Sequence, residues 1–297
     1  MAIPFLRSTP SPFRSAKNRS SMIRVSTLLA AVALAAPATA DAPPTLGERV
    51  DRHFAEAGES GFKGCFLVAD LDGKTVFRSG EGCAERFPPC STFKIPNSLI
   101  SLQEGAITPE TVLEWDGSEQ YYKVWERDHD LASAMRSSVV WFYQELARRV
   151  GETAMQKHVD HFEYGNRDLR GGIDRFWLGR SLNISADEQI VFLSRMWKGE
   201  LDIDAEHVAT VKRILLHDEA DDWQLRAKTG SCRLQDTTLG WWVGHVRQGD
   251  TERLFATRVI GAGAEGLEAR RLTRALLADE AVANGIGLSR AIPGKAP

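Results

Sequence analysis

The chain has 297 residues, of which 43% are hydrophobic, 26% charged and 8% aromatic. These values exclude a collagen-like, disordered or coiled-coil chain and leave one large or two small globular domains with a substantial core. A formal net charge of −3 lacks the basic excess of a nucleic-acid binder.

The first 40 residues differ in kind from the rest. They carry Arg7, Arg14, Lys17, Arg19 and Arg24 and no Asp or Glu. Setting those five aside leaves 32 Lys+Arg against 40 Asp+Glu, a net charge of −8. Val25 to Ala40 is apolar, too short and Ala-rich for a good membrane span, and ends in the A-x-A pattern Ala38-Thr39-Ala40. The expectation is a signal peptide over residues 1–40, cleaved after Ala40, and an exported, periplasmic catalytic domain over 41–297. An uncleaved anchor is the other reading. The region ahead of the apolar run is long, and Met22-Ile23-Arg24 would make a more compact basic start. No later stretch approaches the roughly 18 apolar residues of a span, so no stable membrane anchor is expected in the mature chain.

Leu46, Val50, Phe54 and Ala57 share one helical stripe. FLVAD and KTVFRS then read as hairpin strands around Leu71-Asp72-Gly73. Pro88-Pro89-Cys90 breaks the chain before Ser91–Ile100, where a capping Ser and an early Pro predict a helix start. After a Gly- and Trp-rich connection, Leu131–Val150 and Ala186–Trp197 are helical in pattern. The acid-rich Asp218–Asp222 reads as a solvated loop. Leu225–Lys228, Thr238–Arg247 and Arg253–Ile260 read as strands, separated by Gly230-Ser231 and Gln248-Gly249-Asp250. Trp241-Trp242 would straddle a strand, one ring on each face. Leu267–Asn284 closes the chain as an amphipathic helix. Strands at both ends with helices between predict an α+β fold, an antiparallel sheet flanked by helices plus an all-helical subdomain.

Export would let disulfides persist. Cys65, Cys83, Cys90 and Cys232 lack paired CxxC spacing, which argues against structural zinc. Cys65 and Cys83 flank the hairpin and are a candidate bridge; four unbridged, buried cysteines are the alternative, since connectivity cannot be read from sequence. Cys90 is expected to pack behind its helix. His158 and His161 are three apart, but no acidic or cysteine cluster completes a site, so no metal is expected.

The chemistry concentrates in Ser91-x-x-Lys94. On a helix, positions i and i+3 share a face, so an amine can sit beside the hydroxyl and activate it. Free N–H groups at a helix start suit a developing oxyanion. Alone the motif is weak, because a capped surface helix would look the same. Far downstream, however, lies Lys228-Thr229-Gly230, and S-x-x-K followed by K-T-G marks serine β-lactamases and penicillin-binding proteins. Ser138-x-Val140, Tyr164-Gly165-Asn166, Phe176-Trp177-Leu178, Gly240-Trp241-Trp242-Val243-Gly244 and Trp125-Glu126-Arg127-Asp128 follow the same family's pattern. The chain thus resembles the class D, oxacillinase-type serine β-lactamases over nearly all of its mature part.

The resemblance implies a site between the sheet and the helical subdomain. It implies Ser91 as nucleophile and a carbamylated Lys94 (N6-carboxylysine) as general base, with carbon dioxide or bicarbonate as the only added group. Val140 where relatives of another class have Asn makes the surroundings of Lys94 apolar, which lowers an amine's pKa and lets it react with carbon dioxide. Phe93, Trp177 and Leu178 would add to that, with the Trp177 indole as carbamate donor. Ser138 and Lys228 would relay a proton to the leaving nitrogen. The N–H groups of Ser91 and Ser231, beside Gly230, would form the oxyanion hole. Thr229 and Arg270 would bind the substrate carboxylate, with Arg271 the nearest competitor, and Tyr164 would line the site. The implied partners are small β-lactams; the oligomeric state, monomer or homodimer, stays open. A β-lactam sensor or a transpeptidase-like domain that acylates without fast turnover is the alternative function. Ser231, where many relatives have a bulky apolar residue, and Trp141, where several have proline, leave the substrate spectrum open.

Overall fold

The computed structural model describes residues 43–58 and 61–293; the expected signal peptide and its cleavage point lie outside them. Helix α1, Leu46–Glu56, starts at a capping box in which Thr45 and Glu48 satisfy each other's backbone N–H groups. The hairpin follows as β1, Lys63–Ala69, and β2, Thr75–Gly80. A 3₁₀ turn over Cys90–Phe93 leads into α2, Lys94–Gln103. Helices α3, Leu131–Ser137, α4, Val140–Val150, α5, Glu152–His161, α6, Ala186–Lys198, and α7, Ala205–Ile214, make up the helical part. Then come β3, Leu216–Ala220, β4, Trp223–Leu234, β5, Thr237–Gln248, and β6, Thr251–Gly261, before α8, Gly266–Ala278, and α9, Glu280–Gly285.

The six strands form one antiparallel sheet in the order β2-β1-β6-β5-β4-β3. Both faces are covered, so the central strand β5 is buried without interruption from Leu239 to Val246. One core packs Leu67, Trp241, Val243 and Ala256 against helices α2 to α7. The other packs Phe66, Trp242, Val246 and Phe255 against α1, α8 and α9. Neighbouring Trp241 and Trp242 therefore do serve opposite faces, as strand periodicity requires.

Several element boundaries differ from the sequence reading, each for a local reason. Ser91 is not a helix cap; it lies inside the 3₁₀ turn, and α2 begins three residues later with no side-chain cap. Leu131–Val150 is two helices, because Ser138 takes a left-handed conformation, φ 55° and ψ 39°. Leu267–Asn284 is likewise split at Asp279, whose carboxylate accepts from Ala281 and Val282 and caps α9. Gly230-Ser231 does not separate strands: β4 runs through it and turns only at Gln235-Asp236. Asp218–Asp222 is not a solvated loop, since β3 occupies Leu216–Ala220 and Asp218 is buried against Arg274 of α8 at 2.7 Å.

Cys65 and Cys83 are bridged, as one of the two sequence readings had it. Cys90 is also bridged, to Cys232, so packing alone does not describe it. His158 pairs with Glu104 at 2.6 Å. Among the described residues no helix is long and apolar enough to cross a membrane.

Gly230 is where the sheet meets the turn that carries Ser91. A Cβ there would lie 2.8 Å from the Pro89 carbonyl oxygen and 3.1 Å from Thr92 Cγ2. The close obstacle is backbone, so it yields only by moving a strand or the turn. Gly230→Ala should therefore destabilise by about 1–3 kcal/mol. A thermal midpoint unchanged from the parent would contradict this close packing.

Candidate active site

A cleft of about 410 Å³ is lined by Ser91, Ser138, Val140, Leu178, Thr229 and Ser231, with Tyr121, Tyr122, Trp125 and Leu267 also on its walls. Its residues come from the turn before α2, the break between α3 and α4, β4 and the start of α8. The sequence motifs, up to 140 residues apart in number, thus meet at one place.

Lys94 Nζ donates to Ser91 Oγ at 2.7 Å. The lysine is 0% exposed, and burial together with the neighbouring Lys228 charge holds its pKa well below the ordinary lysine value. Among the described residues no carboxylate is paired with it; its Nζ instead sits 5.4 Å from the centroid of the Tyr143 ring. Polar atoms below it are satisfied: Ser98 Oγ donates to the Lys94 carbonyl, and Asn97 donates to the Tyr143 carbonyl while accepting from Ser101. Lys228, on β4, is 4% exposed, and burial lowers its pKa to about 7. Its Nζ donates to the Thr229 carbonyl at 2.9 Å.

The left-handed turn at Ser138 faces its residue into the cleft and ends α3, with Ser138 N donating to the Met135 carbonyl. Trp125 clamps this break by donating its indole N–H to the Ser137 carbonyl at 2.8 Å, and Trp141 donates to the Trp125 carbonyl at 2.9 Å. On the other wall, Ser231 Oγ accepts from Gly266 N at 2.8 Å and so holds the first turn of α8 against β4.

Tyr164 and Trp177, expected among the substrate-binding residues, do not line the cleft; both are buried beneath it. Trp177 stacks on Phe93 with centroids 5.5 Å apart, and Tyr164 meets the same ring edge-on at 5.6 Å. The Trp177 indole nitrogen is buried with no hydrogen-bond partner among the described residues. Arg270 lines an adjoining cavity with Lys228, Thr229, His217, Arg136 and Arg213, which makes that end of the site cationic. Arg271 is turned outward and paired with Glu268. Sequence reasoning missed Tyr121, Tyr122 and Leu267 at the cleft mouth, since nothing in their local pattern distinguishes an exposed wall from an ordinary surface.

Residues 67–278 match the penicillin-binding protein transpeptidase domain family. The probable β-lactamase YbxI of Bacillus subtilis (strain 168) is 42% identical over 202 residues, which is 67% of this chain and 75% of that protein. β-Lactamase OXA-48 of Klebsiella pneumoniae is 40% identical over 200 residues, 67% of this chain and 76% of its own length. The solved structure of class D β-lactamase BAT-2 superposes with a TM-score of 0.72 at 38% identity, over 82% of this chain and 97% of that one. With a serine hydrogen-bonded to a buried lysine and facing the Thr229 segment of K-T-G across a cleft, and with relatives of this closeness over this share of their length, the chain belongs to the class D serine β-lactamases.

Proposed function

We propose that the chain hydrolyses the β-lactam ring of penicillin-type antibiotics through an acyl-enzyme on Ser91, and that it does so as an exported, periplasmic enzyme. The observation that carries this reading is the 2.7 Å contact between Ser91 Oγ and a buried Lys94 whose amine is driven toward its neutral form. A neutral amine in an apolar site reacts with dissolved carbon dioxide, and the unpartnered indole N–H of Trp177 fits an anion formed on Lys94. A carbamate at that position would supply the general base for acylation and for hydrolysis of the acyl-enzyme.

Ser91 gives up its proton on the Lys94 side as Oγ attacks the strained carbonyl. The N–H groups of Ser91 and Ser231 receive the developing oxyanion from opposite walls of the cleft. Ser138, with Lys228 across the cleft, delivers a proton to the departing ring nitrogen. Val140 and Leu178 keep the base in apolar surroundings. Thr229 and Arg270 hold the substrate carboxylate at the cationic end, where the planar guanidinium can donate two hydrogen bonds to it.

A chromogenic cephalosporin should be turned over continuously, with Lys94→Ala reducing kcat by about 10³-fold or more. One stoichiometric burst without a steady state would overturn the hydrolase reading in favour of a domain that stays acylated. Carbamate formation is reversible, so activity lost on acid treatment should return when bicarbonate is added. Labelled bicarbonate should also give a carbamate carbon signal that Lys94→Ala lacks, and a flat response to bicarbonate would mean that Lys94 acts unmodified.

The buried lysines also set a pH dependence of stability. With a folded pKa of about 7 for Lys228 and an ordinary value of 10.5 once unfolded, the unfolded chain binds the extra proton between those values. Its contribution therefore favours folding increasingly as pH rises from about 7 to 10.5, by up to about 1.4 kcal/mol per pH unit. Urea unfolding at pH 7 and pH 9.5 should show Lys228→Met with a smaller gain at the higher pH than the parent. Equal gains would contradict a depressed Lys228.

A further inference from the structure

We propose that the Cys90–Cys232 disulfide is a positioning element of the reaction, which sets the spacing of the two oxyanion donors and makes acylation redox-dependent. The inference rests on the reading of Ser91 as nucleophile. Cys90 immediately precedes Ser91, and Cys232 immediately follows Ser231. Each N–H group assigned to the oxyanion hole therefore lies within one residue of a bridged cysteine. The bridge joins the turn before α2 to β4, elements 142 residues apart in the chain, with Cα atoms 5.8 Å apart.

The backbone at Cys90 is not one that a free cysteine would choose. Its φ is 53°, in the left-handed region that costs a side-chain-bearing residue free energy unless its surroundings enforce it. Three contacts enforce it: the bridge itself, the Cys90 N–H donated to the Trp177 carbonyl at 3.1 Å, and the close approach of Gly230 to Pro89. The last two are non-covalent. The bridge alone is covalent, and it runs from the fully buried Cys90 to Cys232, which is half-buried and forms part of the cleft wall. Opening it lets Ser91 N and Ser231 N move apart, and transition-state donors lose most of their effect with misplacements near 1 Å.

Accessibility separates this bridge from the other. Cys65 is 0% exposed and Cys83 is 6% exposed; Cys90 is 0% exposed too, but its partner Cys232 is half-buried and lines the cleft. A dithiol reductant should reach Cys232 first. Its thiolate forms a bond to one bridge sulfur as the Cys90–Cys232 bond breaks, and its second thiol closes a cyclic disulfide and leaves two cysteine thiols. Two electrons pass from the reductant to the bridge, and two protons end on the cysteines.

The test compares oxidised protein, protein briefly treated with dithiothreitol, reoxidised protein and the Cys232→Ser variant. Alkylation and peptide mass spectrometry report which bridge is open, circular dichroism reports folding, and stopped-flow acylation by a chromogenic cephalosporin reports the chemistry. The expected result is a folded protein with alkylated Cys90 and Cys232, an acylation rate about tenfold lower or more, and full recovery on reoxidation. Cys232→Ser should show the same loss without reductant. An unchanged acylation rate with the bridge open, even with a lowered thermal midpoint, would leave the disulfide a purely stabilising role and overturn the inference alone. Failure of the oxidised protein to acylate at all would overturn the reading of Ser91, and this inference with it.

Discussion

The cleft is organised around one costly arrangement: an amine buried beside a serine with no counter-ion among the described residues. Lys94 is 0% exposed, its near polar partner is the Ser91 hydroxyl, and the closest charged influence on it is another lysine. An ammonium in such a place is strongly disfavoured, and the neutral form is the physical solution. The surroundings are built so that no carboxylate relieves the cost. Phe93, Phe176 and Trp177 pack as a contiguous aromatic layer, with centroid separations of 4.9 to 5.5 Å. Meanwhile Asn97, Ser98, Ser101 and Tyr143 satisfy one another and the adjacent backbone instead of reaching for the amine.

Holding that amine dry depends on how closely the sheet and the helical part approach. Two glycines permit it. Gly230 allows β4 to lie on the Pro89–Thr92 turn, and Gly266 allows α8 to lie on β4, where a Cβ would stand 2.8 Å from the Gly230 carbonyl oxygen. Ser231 then fastens the second contact by accepting from Gly266 N. The Trp241 indole donates to the Pro88 carbonyl at 2.9 Å, which ties the middle of the sheet to the residues just ahead of Ser91. The catalytic geometry is thus a property of packing between elements, and a single added methyl at either glycine reaches it.

The site was legible in sequence to the extent that its chemistry is local. Ser91 and Lys94 share one turn, so their contact follows from spacing, and the alternation of successive side chains along any strand predicted the two faces of Trp241 and Trp242. What the sequence hid was set by distant partners. Asp218 lies in an acidic run, and its burial goes with a partner the run does not show, Arg274 of α8, 56 residues later. The Cys90–Cys232 bridge needs β4 to fold onto the turn before either cysteine has a reason to pair. Ser138 breaks what reads as one helix by taking the αL conformation, and the Trp125 clamp on the preceding carbonyl, that of Ser137, holds the break; no helix periodicity encodes this. Tyr164 and Trp177 were legible as site-associated residues but not as buried ones. A motif marks proximity to the chemistry without saying on which side of the wall a ring will lie.

Backbone strain gives an independent line to the same region. Among the described residues, the non-glycine positions with positive φ are Cys90, Ser138, Glu163, Arg167 and Asp202. Cys90 directly precedes Ser91 of the cleft wall, Ser138 lines the cleft itself, and Glu163 and Arg167 bracket the Tyr164-Gly165-Asn166 turn. Each such residue costs free energy that must be offset by neighbours that over-determine it. Four of these five residues flank or occupy motif segments, whereas a strain unrelated to function would scatter through loops. At Cys90 the strained residue sets the direction of the turn that carries Ser91. At Ser138 it aims the serine itself into the cleft while ending a helix that would otherwise continue through it. The fold therefore places its least comfortable backbone where two hydroxyls must point at the same small volume from different elements.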